Sequence, residues 1–240
     1  MKWIFLITIF LFSNIEARTI SIGTLIYNPP FEVSADQKDH FLGFDIEIMA
    51  AICLRIQSTC HFKPLTFAEL FVELLAKKID LALGAISITK ERQESFLFSL
   101  PYLASNGQFI TTIDSDVNTI EDIRRKRIGL VQGTLFKALV FEKFGFQANV
   151  IEYPTLSGVF QAMAEGKVDV LIADTEAVKY WVTNNAMFKL VGDSIPIGIG
   201  YGIMANKDSS DLIKQINEAL LDMETDGSYL KIYKRYFSPM

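Results

Sequence analysis

Short runs of β-branched and apolar residues alternate along this chain with longer stretches whose apolar positions recur every three or four residues. The first pattern predicts strands and the second amphipathic helices. Residues 19–25 read as a strand, broken by Asn28-Pro29-Pro30. Residues 43–56 read as a helix with Ile46, Met49, Ala50 and Cys53 on one face. A strand over 61–65, a helix over 67–77 carrying Leu70, Leu74 and Leu75, and a strand over 81–85 follow. A second cycle begins near Phe109, with strands over 109–112, 128–131, 149–153 and 168–173. Its helices read as 119–125, from Gly133 through Phe144, 155–165 and 176–184. Another strand over 197–204 and two closing helices over 209–225 and 227–237 complete the chain. Such alternation predicts an α/β fold with largely parallel sheets, and two cycles of similar size predict two lobes. No Gly/Ser/Pro-rich linker separates the cycles, so the crossings between lobes are expected to be ordered strands acting as a hinge of limited travel.

The first seventeen residues fit a different role. Lys2 supplies a positive start, 3–12 is an apolar run, and 13–17 is small or polar, which is the layout of a secretory signal peptide. The apolar run is about half the twenty or so residues that a membrane span needs. Cleavage is expected after Ala17, although Ile15 is a poor fit two places before it. The first cysteine is Cys53, so no lipid anchor is expected, and the predicted location is the periplasm.

The net charge is −5 and the pI about 5.2, which speaks against nucleic acid as a partner. Cys53 and Cys60 stand close together, and in an oxidising compartment such a pair is expected to form a disulfide that closes one small loop. A zinc site needs more ligands than these with His40 and His61, so neither a metal nor a cofactor is expected.

The stretch Ile79 to Arg92 carries the most chemistry. Small residues Gly84 and Ala85 end a strand, Ser87 offers a hydroxyl, and the Arg92 guanidinium can grip both oxygens of a carboxylate. Around it, Asn28-Pro29-Pro30-Phe31, Gly43-Phe44-Asp45-Ile46-Glu47, Phe98-Ser99-Leu100-Pro101-Tyr102, Gln132-Gly133-Thr134, Asp174 and Asp226-Gly227-Ser228-Tyr229 occur in order. Together these resemble the polar-amino-acid-binding proteins of ABC importers, solute-binding protein family 3, over 19–237. The Cys53/Cys60 pair resembles the disulfide of the arginine-binding and lysine/arginine/ornithine-binding branch.

The resemblance implies a type II periplasmic-binding-protein fold of two α/β lobes joined by two hinge strands. Lobe one would comprise 18–105 with 201–240, and lobe two 106–200. It implies that Arg92 takes the ligand α-carboxylate, supported by Ser87 and the backbone N–H groups of Ala85 and Thr134. Asp174 would accept the α-ammonium, and Phe67 would lie along the ligand side chain. Read from the residues alone, Asp174 could equally be the N-cap of the helix that follows it. The partners implied are a free L-amino acid and the membrane permease of an importer, with the protein a monomer.

Specificity is where the pattern departs. Basic-amino-acid binders usually carry an acid where this chain has Leu25, and an aromatic where it has Asn28. Gly84 and Ala85 replace serines. Either Glu32, Gln132 or another group supplies the missing acceptor, or the ligand is neutral. The cysteine pair favours arginine and Leu25 favours glutamine; arginine is taken first and another polar amino acid next. The rival class is an enzyme on the same fold, such as a cyclohexadienyl-type dehydratase. With Arg92 and Asp174 committed to ligand charges, no catalytic residue is left to assign, and a binder is the expectation.

Overall fold

Burial alternates along the first strand, β1 (Arg18–Leu25), which turns Ile20 and Ile22 into the core. The computed structural model describes residues 18–35 and 40–237, so the leader reading for 1–17 lies outside the described residues. After β1, β2 (Tyr27–Asn28), β3 (Glu32–Ser34) and β4 (Phe41–Leu42) form a small antiparallel sheet. Helix α1 (Phe44–Arg55), β5 (Ser58–Leu65), α2 (Phe67–Leu75), β6 (Leu81–Ala82), α3 (Lys90–Ser95) and β7 (Phe96–Phe98) complete the first stretch. Thr66 starts α2 with a capping box, its hydroxyl accepting from the Glu69 N–H while the Glu69 carboxylate accepts from the Thr66 N–H.

The second stretch holds β8 (Asn106–Thr112), a 3-10 turn over Glu121–Arg125, β9 (Arg127–Val131), α4 (Phe136–Phe144) and β10 (Asn149–Tyr153). It continues with α5 (Leu156–Ala164), β11 (Val170–Asp174), α6 (Thr175–Asn184) and β12 (Phe188–Pro196). The chain then returns through β13 (Met204–Asn206), α7 (Ser210–Thr225) and α8 (Ser228–Phe237).

Two five-stranded sheets result, ordered β5-β1-β6-β13-β7 and β10-β9-β11-β8-β12. In each, three strands run parallel and the two farthest along the order pair antiparallel. This is an α/β fold of two sheet-plus-helix lobes. β13 and β7 lie side by side in the first sheet although the whole second lobe separates them in sequence.

The expected strand over 197–204 takes another form. Regular pairing is confined to β12 before it and β13 after it, and 197–203, with a turn at 198–199, is one of two segments that cross between the sheets. Gly198 and Gly200, both at positive φ, interrupt it. The crossings are tied together by Tyr201 N–H to Leu103 O at 2.8 Å, Tyr102 N–H to Tyr201 O at 2.9 Å and Ile197 N–H to Ser105 O at 2.9 Å.

Cys53 of α1 and Cys60 of β5 are joined by a disulfide with their Cα atoms 6.0 Å apart. The short loop it closes corresponds to about 2–3 kcal/mol of lost unfolded-state entropy. α8 closes over α1, where fully buried Phe44 meets the Phe237 ring at 4.8 Å, and the Tyr229 hydroxyl donates to the Tyr102 carbonyl. The C-terminal helices are thereby fastened to the first lobe.

Candidate ligand-binding cleft

A cavity of about 250 Å³ lies where the two sheets face each other. It is lined by Leu25, Asn28, Phe67, Ala85, Ser87 and Arg92 from one side, and by Val131, Thr134, Phe136 and Asp174 from the other. The volume suits a single small solute rather than a peptide. Most of the wall is apolar, so the few polar groups set what can bind and which way round.

Arg92 owes its position to the cap of α3. The Thr89 hydroxyl accepts from the Arg92 N–H at 3.2 Å, fixing the first turn. The guanidinium then donates through Nη1 to the Ser87 carbonyl at 2.9 Å and lies over the rings of Phe67 and Phe71, 5.5 and 5.0 Å from their centroids. Burial draws its pKa down to about 10, which leaves it charged at neutral pH. Its remaining donors have no carboxylate partner among the described residues.

Asp174 stands at the end of β11 and at the N-cap position of α6, yet its side chain makes no capping bond. Oδ1 instead accepts from the Tyr201 hydroxyl at 2.6 Å. Burial pushes its carboxyl up to about 7, with the tyrosine hydrogen bond and the Arg92 charge pulling the other way. A group that strongly desolvated and reachable from the cavity gains most from a cation placed beside it.

The other expected residues divide. Ser87 is in the wall, its hydroxyl 2.7 Å from that of Ser105 on the crossing segment. Phe67 and Asn28 are in the wall and buried. Thr134 is also in the wall, but it stands two residues before α4, and its N–H makes a long 3.4 Å contact with the Val131 carbonyl. The Ala85 N–H is not turned to the cavity: with the residue at φ 48°, it donates to Asp45 Oδ2 at 3.1 Å. Gly84 and Gln132 are not part of the wall; Gln132 is exposed, and Gly84 backs onto Leu25 and Glu32.

Three contacts were not read from the sequence, although Glu32 itself stood there as a possible acceptor. Tyr201 holds Asp174 from the crossing segment. Asp45 and Glu32, fully buried, meet behind the wall. Tyr27 reaches from β2 to meet Trp181 of α6 at 6.2 Å, edge to face, and Trp181 in turn stacks on Phe160 at 4.1 Å. That aromatic contact bridges the two lobes. Replacing Tyr27 by Ala is expected to weaken ligand retention about 3- to 10-fold, the worth of one aromatic pair. Trp181 is the one tryptophan in 18–240, so its fluorescence during stopped-flow ligand release reads the change directly.

The sequence profile of the bacterial extracellular solute-binding proteins, family 3, matches residues 20–239. The chain belongs to that family. Within it, the lysine/arginine/ornithine-binding periplasmic protein of Escherichia coli (strain K12) is 31% identical over 92% of this chain and 88% of the relative. A crystal structure of an arginine third-transport-system periplasmic binding protein from Legionella pneumophila superimposes with a TM-score of 0.88 at 40% identity, covering 92% of this chain and all of that one. An ancestral arginine-binding protein bound to glutamine superimposes with a TM-score of 0.85 at 31% identity, covering 93% of this chain and all of that one. The family-3 architecture is the two-lobed fold described above.

Proposed function

We propose that this protein captures a free L-amino acid, arginine first and another polar amino acid such as glutamine next, by closing its lobes, and hands it to the permease of an ABC importer. The observation that carries the reading is the placement of Arg92 and Asp174 on opposite sides of one cavity. A zwitterion has one charge for each, so only the closed state satisfies both, and that difference in affinity drives closure. The lobes are taken as 18–105 with 201–240, and 106–200, hinged at the crossing segments. Ser87 and Thr134 would support the α-carboxylate and Phe67 would lie along the side chain.

The relatives described above are binding proteins, which favours capture over catalysis on this fold. Their periplasmic naming supports the same compartment here, reached through a signal peptide removed after Ala17, with the protein acting as a monomer. No helix among the described residues is long and apolar enough to cross a membrane.

Isothermal titration of refolded, ligand-free protein with arginine, glutamine and the other amino acids tests the reading. One or two one-to-one ligands are expected, arginine the tighter. A panel in which no amino acid binds, with the protein folded, would overturn it.

A further inference from the structure

One carboxyl and one guanidinium line this cleft, and two further carboxyls lie buried behind its wall. Arg92 and Asp174 are matched by the two charges of any amino acid. Glu32 and Asp45 are left over. Both are completely buried, on β3 and α1, and they meet each other behind Leu25 and Ala85. Their hydrogen bonds are lopsided. Asp45 Oδ2 accepts from the Ala85 N–H at 3.1 Å and from the Tyr102 hydroxyl at 2.9 Å. Neither oxygen of Glu32 has a hydrogen-bond partner among the described residues, although the Asn28 carboxamide lies beside it. Burial and the neighbouring Asp45 hold the Glu32 carboxyl well above the usual carboxylate range, while the donors to Asp45 limit its rise to about 6. Burial and mutual repulsion therefore favour the uptake of a proton by the pair. Two buried carboxyls with so few donors are costly unless something else satisfies them.

What separates this pair from the cavity is thin. Leu25, Asn28 and Ala85 belong to the cavity wall. Next to Ala85 stands Gly84, which faces Leu25 and Glu32. A Cβ on Gly84 would sit 3.0 Å from Leu25 Cγ and 3.5 Å from Glu32 Oε1, so only a glycine leaves the layer between Leu25 and Glu32 this thin. At φ 150° the position also disfavours any side chain.

We infer that Glu32, backed by Asp45 and reached past Gly84, is the acceptor for a cationic ligand side chain and fixes the preference for arginine over its neutral analogues. The guanidinium takes the place of the proton that the pair favours. One proton leaves to solvent, and the two carboxylates gain the donors they lack in the empty protein. The charge that relatives place at position 25 is carried here one layer deeper, beneath Leu25. This rests on the amino-acid-capture reading above and deepens it.

The test compares arginine with citrulline, which has the same chain length and a neutral urea in place of the guanidinium. Each is titrated into the wild type and Glu32→Gln in buffers of differing ionisation enthalpy near neutral pH. The wild type is expected to prefer arginine and to release about one more proton with it than with citrulline. Glu32→Gln is expected to lose about 10²-fold in arginine affinity, to keep citrulline affinity within a few-fold, and to erase the difference in proton release. Retained citrulline binding also reports that the variant is folded. Equal loss of both ligands would make Glu32 a structural residue and overturn the inference, as would unchanged arginine binding. In either case the capture reading would stand on wild-type binding. A wild type that binds no amino acid at all would overturn both.

Discussion

Arg92→Ala is expected to raise the Kd for the ligand by between about 10² and several 10³-fold, because it strips the partner from a carboxylate inside a closed cleft. Leaving one member of a buried ion pair alone costs about 3–5 kcal/mol. The neighbourhood explains why this residue should sit at the large end of single substitutions. The guanidinium is held before any ligand arrives, by the Ser87 carbonyl at 2.9 Å and by the faces of Phe67 and Phe71. Little side-chain entropy is then lost on binding, and the unused donors of the fork are already aimed. Arg92→Lys should not restore affinity. A lysine ammonium cannot hold the Ser87 carbonyl and both carboxylate oxygens in one plane, and a loss of at least tenfold is expected. Isothermal titration measures the affinities, and thermal melts of the empty proteins check the fold. Arg92 is an unpaired, desolvated cation in the empty cleft, so its removal should change the melting temperature of the empty protein little while removing the ligand-induced rise. An Arg92→Ala protein that binds the same ligand within a few-fold of wild type would show that the α-carboxylate is held elsewhere.

Much of the fold was legible because local pattern and tertiary burial agree. Ile46, Met49, Ala50 and Cys53 read as one face of a helix, and α1 buries all of these but Ala50, which is exposed. The strand expected over 149–153 is β10 to the residue. Legibility failed where backbone geometry outranked the apolar pattern. The alternation of Ile197, Ile199, Tyr201 and Ile203 looks like a strand, but glycines between them bend the segment into a hinge crossing whose hydrogen bonds are divided between the other crossing and residues 86–88. The strand expected over 81–85 stops at Ala82, because Gly84 and Ala85 both turn to positive φ to pass behind the cavity. β12 was missed since Lys189, Gly192, Asp193 and Ser194 hide its pattern, and a bulge between Val191 and Ile195 shifts its register.

The site divides in the same way. Arg92, Ser87 and Asp174 stand beside strand ends and turns whose residues announce them. The Glu32–Asp45 pair could not be read as a pair. Asp45 has the sequence of an ordinary acid in the first turn of a helix, where a solvated residue is the default. Only the packing of β3 against α1 shows that both carboxyls are shut away from water. Tyr201 likewise becomes a partner of Asp174 through the hinge crossing, a contact that no local pattern encodes.

Asp174→Ala is expected to cost the ligand about 10²–10³-fold in affinity, and Asp174 should also make that affinity depend on pH. The physical cause is the same for both. In the empty cleft burial holds its carboxyl at about 7, far above its ordinary value, against the pull of the Tyr201 hydroxyl and of Arg92. Asp45 on α1 adds its charge to the rise, and Glu32 of β3 lies against Asp45. The ligand ammonium favours the ionised form, so below about pH 7 binding must expel a proton. Affinity is therefore expected to rise with pH up to about 7, by at most tenfold per pH unit, and then to level off. Stability of the empty protein runs the other way. The folded carboxyl keeps its proton across the window from its ordinary value of 3.8 to about 7, while the unfolded chain gives it up. The contribution of Asp174 to stability thus falls as pH rises through that window. The ligand-induced rise in melting temperature should accordingly grow from about pH 5 to 7. Titrations of wild type and Asp174→Asn over that range separate this from other sources of pH dependence. Asparagine keeps the bond from the Tyr201 hydroxyl but cannot ionise, so its profile should lose one proton's worth of slope and its affinity at pH 7 should remain well below that of wild type. An Asp174→Asn profile as steep as the wild type's would assign the proton to the Glu32–Asp45 pair instead, and full affinity at pH 7 would mean that the ligand ammonium is held by another group.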